Sequence, residues 1–191
     1  GCVQAPPGWV IIDLDLKTAE IVALAHYAND QNMIRVLTEP DMQFARIDRD
    51  NPKKVLRIAY NENEGIPESE WDPKLIVSPD DPRILRHPDG SIIHPRRDLH
   101  WEMGCAVVGK PREKCDERMV RDGCGKCGNF SIPYGSSPSL LERLIEANTG
   151  IKPPPGTGRA MIDTWNNRYP DCKRFLDQME GVVVEPGRWR S

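Results

Sequence analysis

Eight of the 18 prolines fall between residues 38 and 97, and this clustering constrains the fold more than any other feature of the 191-residue chain. Proline lacks a backbone N–H and locks φ, so the block admits no long helix and only short or edge strands. It also carries 12 acidic residues. Strand candidates are confined to Val55–Tyr60 and Leu75–Val77. The segment HPDG (87–90), between RIL (83–85) and SII (91–93), reads as a hairpin turn. Residues 38–97 therefore form an inserted excursion or small β subdomain between two other segments.

The flanking segments have a different character. WVIIDL (9–14), behind Pro6, Pro7 and Gly8, suits a buried strand. KTAEIVALAHYA (17–28) contains good helix formers and neither Gly nor Pro, and the helix resumes at Asn32–Leu37 after a break at Asn29 and Asp30. Downstream, helices are expected at Leu99–Val108, from Glu113, at Pro138–Ala147, at Thr157–Tyr169 and at Asp171–Glu180. Ser137 followed by Pro138 is a capping residue with proline in the first turn. Gly181 should end the last helix, leaving Val182–Glu185 as a strand. Gly123, Gly125 and Gly128 are expected to interrupt the helical pattern, and Pro133 to kink it. The fold class is α+β, divided at 1–37, 38–97, 98–180 and 181–191.

The chain is 38% hydrophobic, too apolar for wholesale disorder. It has no run of about 18 apolar residues, so no helix spans a membrane. Residues 1–110 carry 13 basic and 18 acidic side chains; residues 111–191 carry 13 and 11. The overall field does not favour a polyanion, so a nucleic-acid partner needs a local basic face in the second half. Cys124 and Cys127 form a CxxC, and Cys105 and Cys115 would complete a four-cysteine zinc site. Nine residues separate the latter two instead of two to four, which favours buried thiols. The chain begins with Gly1 and both ends look cut, so it reads as part of a longer protein.

Three groups of residues suggest chemistry. Asp13 and Asp15 share one face at the end of the first strand, as divalent-metal ligands or as turn carboxylates. Glu20 lies in the first turn of the next helix, where an acidic side chain also favours the macrodipole. Lys126, Phe130 and Tyr134 recur every four residues and make one helical stripe of a cation and two rings, with Asn129 and Gly135 in the same run. Such a stripe suits a triphosphate and a base or sugar, or a solvated lysine beside an aromatic core.

Several of these segments together resemble family A DNA polymerases, in the family's order. PGWVIIDLDLKTAEIVALAH (7–26) resembles motif A. DLH (98–100) followed by AVVGKP (106–111) resembles the segment before the fingers helix. KCGNFSIPYG (126–135) resembles motif B on that helix, and RYP (168–170) and VVVEPGR (182–188) follow the same order. The matches cover residues 1–37 and 98–191. The resemblance implies part of a palm sheet with a mostly helical fingers subdomain. It implies template-directed DNA synthesis on primer-template DNA, with this chain supplying the dNTP-binding part. Asp15 would ligate the catalytic Mg²⁺ pair. Lys126 and Arg121 would bind the triphosphate, with His100 near its phosphates. Phe130 would pack on the sugar. Glu20, paired with Tyr134, would reject a ribose 2′-OH, and Tyr134 and Gly135 would guard the templating position. A cytoplasmic location in a bacterial or phage-infected cell follows from the same resemblance.

The sequence also departs from the family pattern. The arginine usual four residues before the motif B lysine is replaced by Asp122, and Arg121 stands five before. A one-residue bulge near Gly123–Gly125 would restore Arg121. Leu16, Lys17 and Thr18 replace an aromatic-Ser-Gln run, and residues 38–97 replace a short connection. The second metal-binding carboxylate, motif C, is absent from the sequence, so the chain alone is expected not to extend a primer. Motif C and the thumb would then lie in the rest of a longer protein, or a second polymerase chain would supply them. The rival reading is a degenerate fingers-like module that binds nucleic acid or protein without catalysis.

Overall fold

A computed structural model of the chain describes residues 18–51, 53–58 and 76–184. The strand expected at 9–14, the carboxylates of Asp13 and Asp15, and residues 185–191 lie outside them. The described chain is α+β, a helical body carrying a small sheet.

The first helices are α1 (Ala19–Ala28) and α2 (Gln31–Thr38). Asn29, at φ +52°, ends α1 in the left-handed region, and Asp30 caps α2, so the break falls where the sequence placed it. Asp30 is only 1% exposed. Its Oδ1 accepts from Met33 N at 3.0 Å, and its Oδ2 accepts from the amides of Asp171 and Cys172, each at 3.1 Å. One buried carboxylate thus caps two helices and ties the α1–α2 corner to the last helix.

The proline-rich block forms β1 (Phe44–Arg46), β2 (Val55–Ile58) and β3 (Ile76–Val77) in that order across one sheet. β1 pairs antiparallel with β2, with Ala45 opposite Leu56, and β2 pairs parallel with β3, with Ile58 opposite Val77. β1 was not foreseen, because three residues are too few to show alternation. The HPDG turn forms, with His87 N bonded to Ser91 O at 2.8 Å and Gly90 at φ +86°. Ala45, Leu56, Ile58, Val77 and Ile84 make a core separate from that of the helices. A bridge between Pro40 and Arg96 closes the excursion at its base. The Arg112 guanidinium lies between the rings of Phe44 (5.0 Å) and Trp101 (4.8 Å), pinning β1 to the helical body.

α3 (Leu99–Val108) begins at Asp98, whose Oδ1 accepts from the amides of His100 and Trp101, and ends at Gly109. A short 3₁₀ turn, Arg112–Lys114, stands where a new helix was expected from Glu113. The helix instead starts after Asp116, whose side chain accepts from Met119 N at 2.8 Å. It is a π-helix over Glu117–Cys127 and continues without a break into an α-helical turn, α4 (Gly128–Ser131), and a 3₁₀ turn, Ile132–Tyr134.

The three glycines do not interrupt this composite helix, contrary to expectation. They allow close packing. A Cβ on Gly125 would lie 1.9 Å from the His100 carbonyl oxygen, and one on Gly104 would lie 2.1 Å from that of Val120. α3 and the π-helix therefore cross backbone to backbone at two points, which only glycine permits. Pro133 sits in the closing 3₁₀ turn, where the helix is already ending at Gly135.

α5 (Pro138–Thr149), α6 (Thr157–Arg168) and α7 (Pro170–Val184) complete the body. Ser137 caps α5, accepting from Leu140 N at 3.3 Å. α7 runs through Gly181 to Val184, so the strand expected at Val182–Glu185, and with it a strand opening the 181–191 segment, is replaced by helix as far as Val184. A helical glycine costs about 1 kcal/mol and valine less, which an already propagating helix absorbs. The main core gathers Met33, Met103, Leu141, Ile145, Met161 and Trp165 from four of these helices.

Candidate functional site

The crossing of α3 on the π-helix brings the expected phosphate-binding residues onto one patch. Arg121 donates through Nε to Asp98 Oδ2 at 2.9 Å and through Nη1 to Asp122 Oδ1 at 2.8 Å. Asp98 therefore caps α3 with one oxygen and holds Arg121 with the other. Burial works to raise the Asp98 pKa, but the guanidinium and the Trp101 amide outweigh it and hold the carboxyl below its usual range. Burial likewise opposes the charge on Arg121, and Asp98 and Asp122 reverse that effect, raising its pKa.

Arg121 and Lys126 are five residues apart. In a helix bonded i to i+5 that spacing is one turn, so the π-helix supplies the one-residue offset that an α-helix would have required as a bulge. Lys126 is exposed, and both cations act electrostatically on His100. His100 is only 8% exposed. Burial first, then Arg121 and Lys126, pull its pKa down to about 4 against the opposing pull of Asp98 and Asp122. The imidazole is neutral at pH 7.

Phe130 follows Lys126 along the helix. Its ring centroid is 5.5 Å from that of His100, with the planes tilted by 43°. Between them in sequence lies Asn129, 2% exposed, which the sequence singled out only as an unusual member of the run. Its Nδ2 lies 3.2 Å from the Leu99 carbonyl oxygen and 3.2 Å from His100 Nδ1.

Glu20 and Tyr134 also meet. They line a cavity of about 170 Å³ with Ile21, Leu24, Phe130 and Leu176. α1 supplies one wall, the end of the composite helix another, and α7 the third. Tyr134 is 72% exposed, and its hydroxyl donates to the Glu20 carboxylate, which raises the phenol pKa. Gly135, at φ +74°, turns the chain immediately after it.

Asp15 lies outside the described residues. Among the described residues no three His, Cys, Asp or Glu side chains are grouped so as to hold a metal. This leaves the four-cysteine zinc site without support. Instead, the Cys127 thiol donates to Asp122 O at 3.4 Å and accepts from Asn148 Nδ2, and burial pushes the Cys124 thiol up to about 11. Asp98 carried no expected role of its own. A capping-type residue directly before an apolar helical run was the available signal. A second cavity, of about 650 Å³, lies at the junction of the excursion with α3 and was not foreseen.

A mixed α+β chain with two cations beside a neutral, buried histidine, and an aromatic-lined cavity on the same helix, is distantly similar to DNA polymerases. One relative is the thermostable DNA polymerase I of Thermus aquaticus, 22% identical over 187 residues, covering 98% of this chain and 14% of that protein. Another is the DNA polymerase of Escherichia phage T5, 25% identical over 199 residues, covering 98% of this chain and 18% of that protein. The chain thus spans less than a fifth of the length of these relatives. No protein-family model matches it. Among the described residues no helix is long and apolar enough to cross a membrane.

Proposed function

We propose that this chain is the dNTP-binding part of a family A DNA polymerase domain, acting in template-directed synthesis on primer-template DNA. The observation that carries the reading is the π-helical register that sets Arg121 and Lys126 one turn apart beside His100. Two fixed cations at one patch match the charge of a triphosphate, and cations already held in place need no reorganisation when that charge shifts to the leaving pyrophosphate. The ion pairs of Arg121 engage Nε and Nη1, which leaves Nη2 for an incoming oxygen.

Phe130 is the surface for the sugar in this reading. The Glu20–Tyr134 pair closes the adjoining cavity and narrows the space for a ribose 2′-OH, and Tyr134 and Gly135 mark the templating side. Divalent ions, expected as Mg²⁺, depend on Asp15 and on a second carboxylate that a partner chain or further sequence would bring. The described residues form no metal centre of their own.

The rival reading, a fingers-like module without catalysis, draws on the fact that Asp98 and Asp122 already occupy Arg121. Equilibrium titration of the chain with a fluorescent dNTP in Mg²⁺ separates the two. Saturable binding that weakens about tenfold or more in Lys126→Ala, the loss of one charge-assisted contact, supports the polymerase reading. No binding, or binding indifferent to Lys126→Ala, overturns it.

A further inference from the structure

We propose that Asn129 is a positioning residue that fixes the tautomer of His100, placing the ring proton on Nε2. The argument needs only donor and acceptor identities. The Leu99 carbonyl oxygen can accept but not donate, so the amide atom 3.2 Å from it is Nδ2 and not Oδ1. The same Nδ2 lies 3.2 Å from His100 Nδ1, and its second hydrogen is available to that contact. Nδ1 must then accept. A neutral imidazole with an accepting Nδ1 carries its proton on Nε2.

The surroundings reinforce the assignment. Asn129 is nearly fully buried, and its Oδ1 has no hydrogen-bond partner, so the amide gains nothing from Oδ1 that would offset turning Nδ2 away from Leu99. The crossing at Gly125, where the His100 carbonyl would meet a Cβ at 1.9 Å, fixes the backbone that carries the ring. Phe130 packs at 5.5 Å from the ring centroid. The charged groups acting on the ring are Asp98, Asp122, Arg121 and Lys126, and burial keeps it neutral among them. No described residue bonds Nε2.

The consequence rests on the proposed function. A neutral Nε2–H beside two cations is a fixed donor for a phosphate oxygen. The opposite tautomer would present a lone pair to the same oxygen and repel it. Asn129 thereby acts on the triphosphate through His100, without touching it.

The test is ¹⁵N NMR of the chain with labelled histidine, together with dNTP titration. The wild-type spectrum is expected to show His100 neutral at pH 7, with Nδ1 unprotonated. In Asn129→Asp, a carboxylate that only accepts should move the proton to Nδ1. In Asn129→Leu, which adds no charge, the ring should lose its fixed tautomer, and dNTP affinity should fall about tenfold, the worth of one hydrogen bond to a charged group. A wild-type Nδ1 that carries the proton overturns the proposal without any variant, as does an Asn129→Asp spectrum identical to wild type. If the tautomer is as expected and Lys126→Ala weakens dNTP binding but Asn129→Leu does not, the positioning role fails and the polymerase reading stands. If the tautomer is as expected and no dNTP binds the wild type, the polymerase reading fails and the tautomer assignment stands.

Discussion

Replacing Gly125 with alanine sets two effects of opposite sign against each other. Intrinsic helix propensity favours alanine over glycine by about 0.8–1.0 kcal/mol, so a helix judged in isolation would be stabilised. The crossing with α3 says otherwise. The new Cβ would sit 1.9 Å from the His100 carbonyl oxygen and 2.6 Å from its carbon. Ordinary contact begins at about 3.4 Å, so the helices must part by roughly 1.5 Å at a point where both partners are backbone and neither can rotate away. Overpacking of this kind costs about 1–3 kcal/mol. The same displacement would break the 3.2 Å contact between Asn129 Nδ2 and His100 Nδ1, leaving buried polar atoms unpaired for a further 1–3 kcal/mol or so. After the propensity gain is subtracted, the net loss is about 1–5 kcal/mol, or roughly 2–20 °C in Tm for a chain of this length. Thermal unfolding followed by circular dichroism measures it. Gly128→Ala is the control, because its Cβ would crowd the flexible Met161 Cε at 3.2 Å, with Ile132 Cδ1 and Met103 Cε at ordinary contact and no backbone atom in the way. A Gly125→Ala protein that melts at or above the wild-type temperature would refute the backbone-to-backbone crossing.

Three further outcomes follow from the site. Because the folded pKa of His100 lies at about 4, below the unfolded 6.5, the unfolded chain binds more protons between these values. The stability from this group is therefore complete above pH 6.5 and is lost on acidification through pH 4, by about 2 kcal/mol at pH 5. Urea unfolding at pH 7 and 5 should show that difference in the wild type relative to His100→Gln, and equal slopes would contradict it. Asp98→Asn keeps an acceptor for the α3 amides but removes the ion pair with Arg121, at a cost of about 1–2 kcal/mol, whereas Asp98→Ala removes both, at about 2–4 kcal/mol. Equal losses in denaturant melts would show that the two roles are not separate. Finally, Glu20→Gln should lower the Tyr134 pKa, since the carboxylate is what raises it. An ultraviolet titration of the phenol that does not move would mean the two side chains do not meet in solution.

Local signals in the sequence determined most of the helical body. α3 appears at Leu99–Val108 as read, the α1–α2 break falls at Asn29 and Asp30, and Ser137–Pro138 starts α5. Caps, prolines and helix formers act within a few residues, so they can be read without knowing what packs on them. The HPDG turn was legible for the same reason. Gly181 and the valines after it show the limit of this reading. Each is a weak local signal, and propagation of α7 overrode both.

What the sequence did not hold is what distant segments do to each other. The helix periodicity of residues 117–127 does not reveal an i to i+5 bond pattern, and that pattern sets Arg121 in register with Lys126. Gly125 reads as a helix breaker until α3 is placed against it. Asn129 was one polar residue in a run until the fold brought it against Leu99 and His100, 30 and 29 residues away in the chain. The glycine crossing and the Asn129 contacts depend on atoms meeting across a gap of more than 15 residues, and hydrogen-bond geometry and steric exclusion act only at contact. The sequence by itself determined where the helices are and which side chains carry charge and rings. Only the tertiary structure decided which backbones touch and which way an amide must face. The state in which His100 carries its proton follows from both.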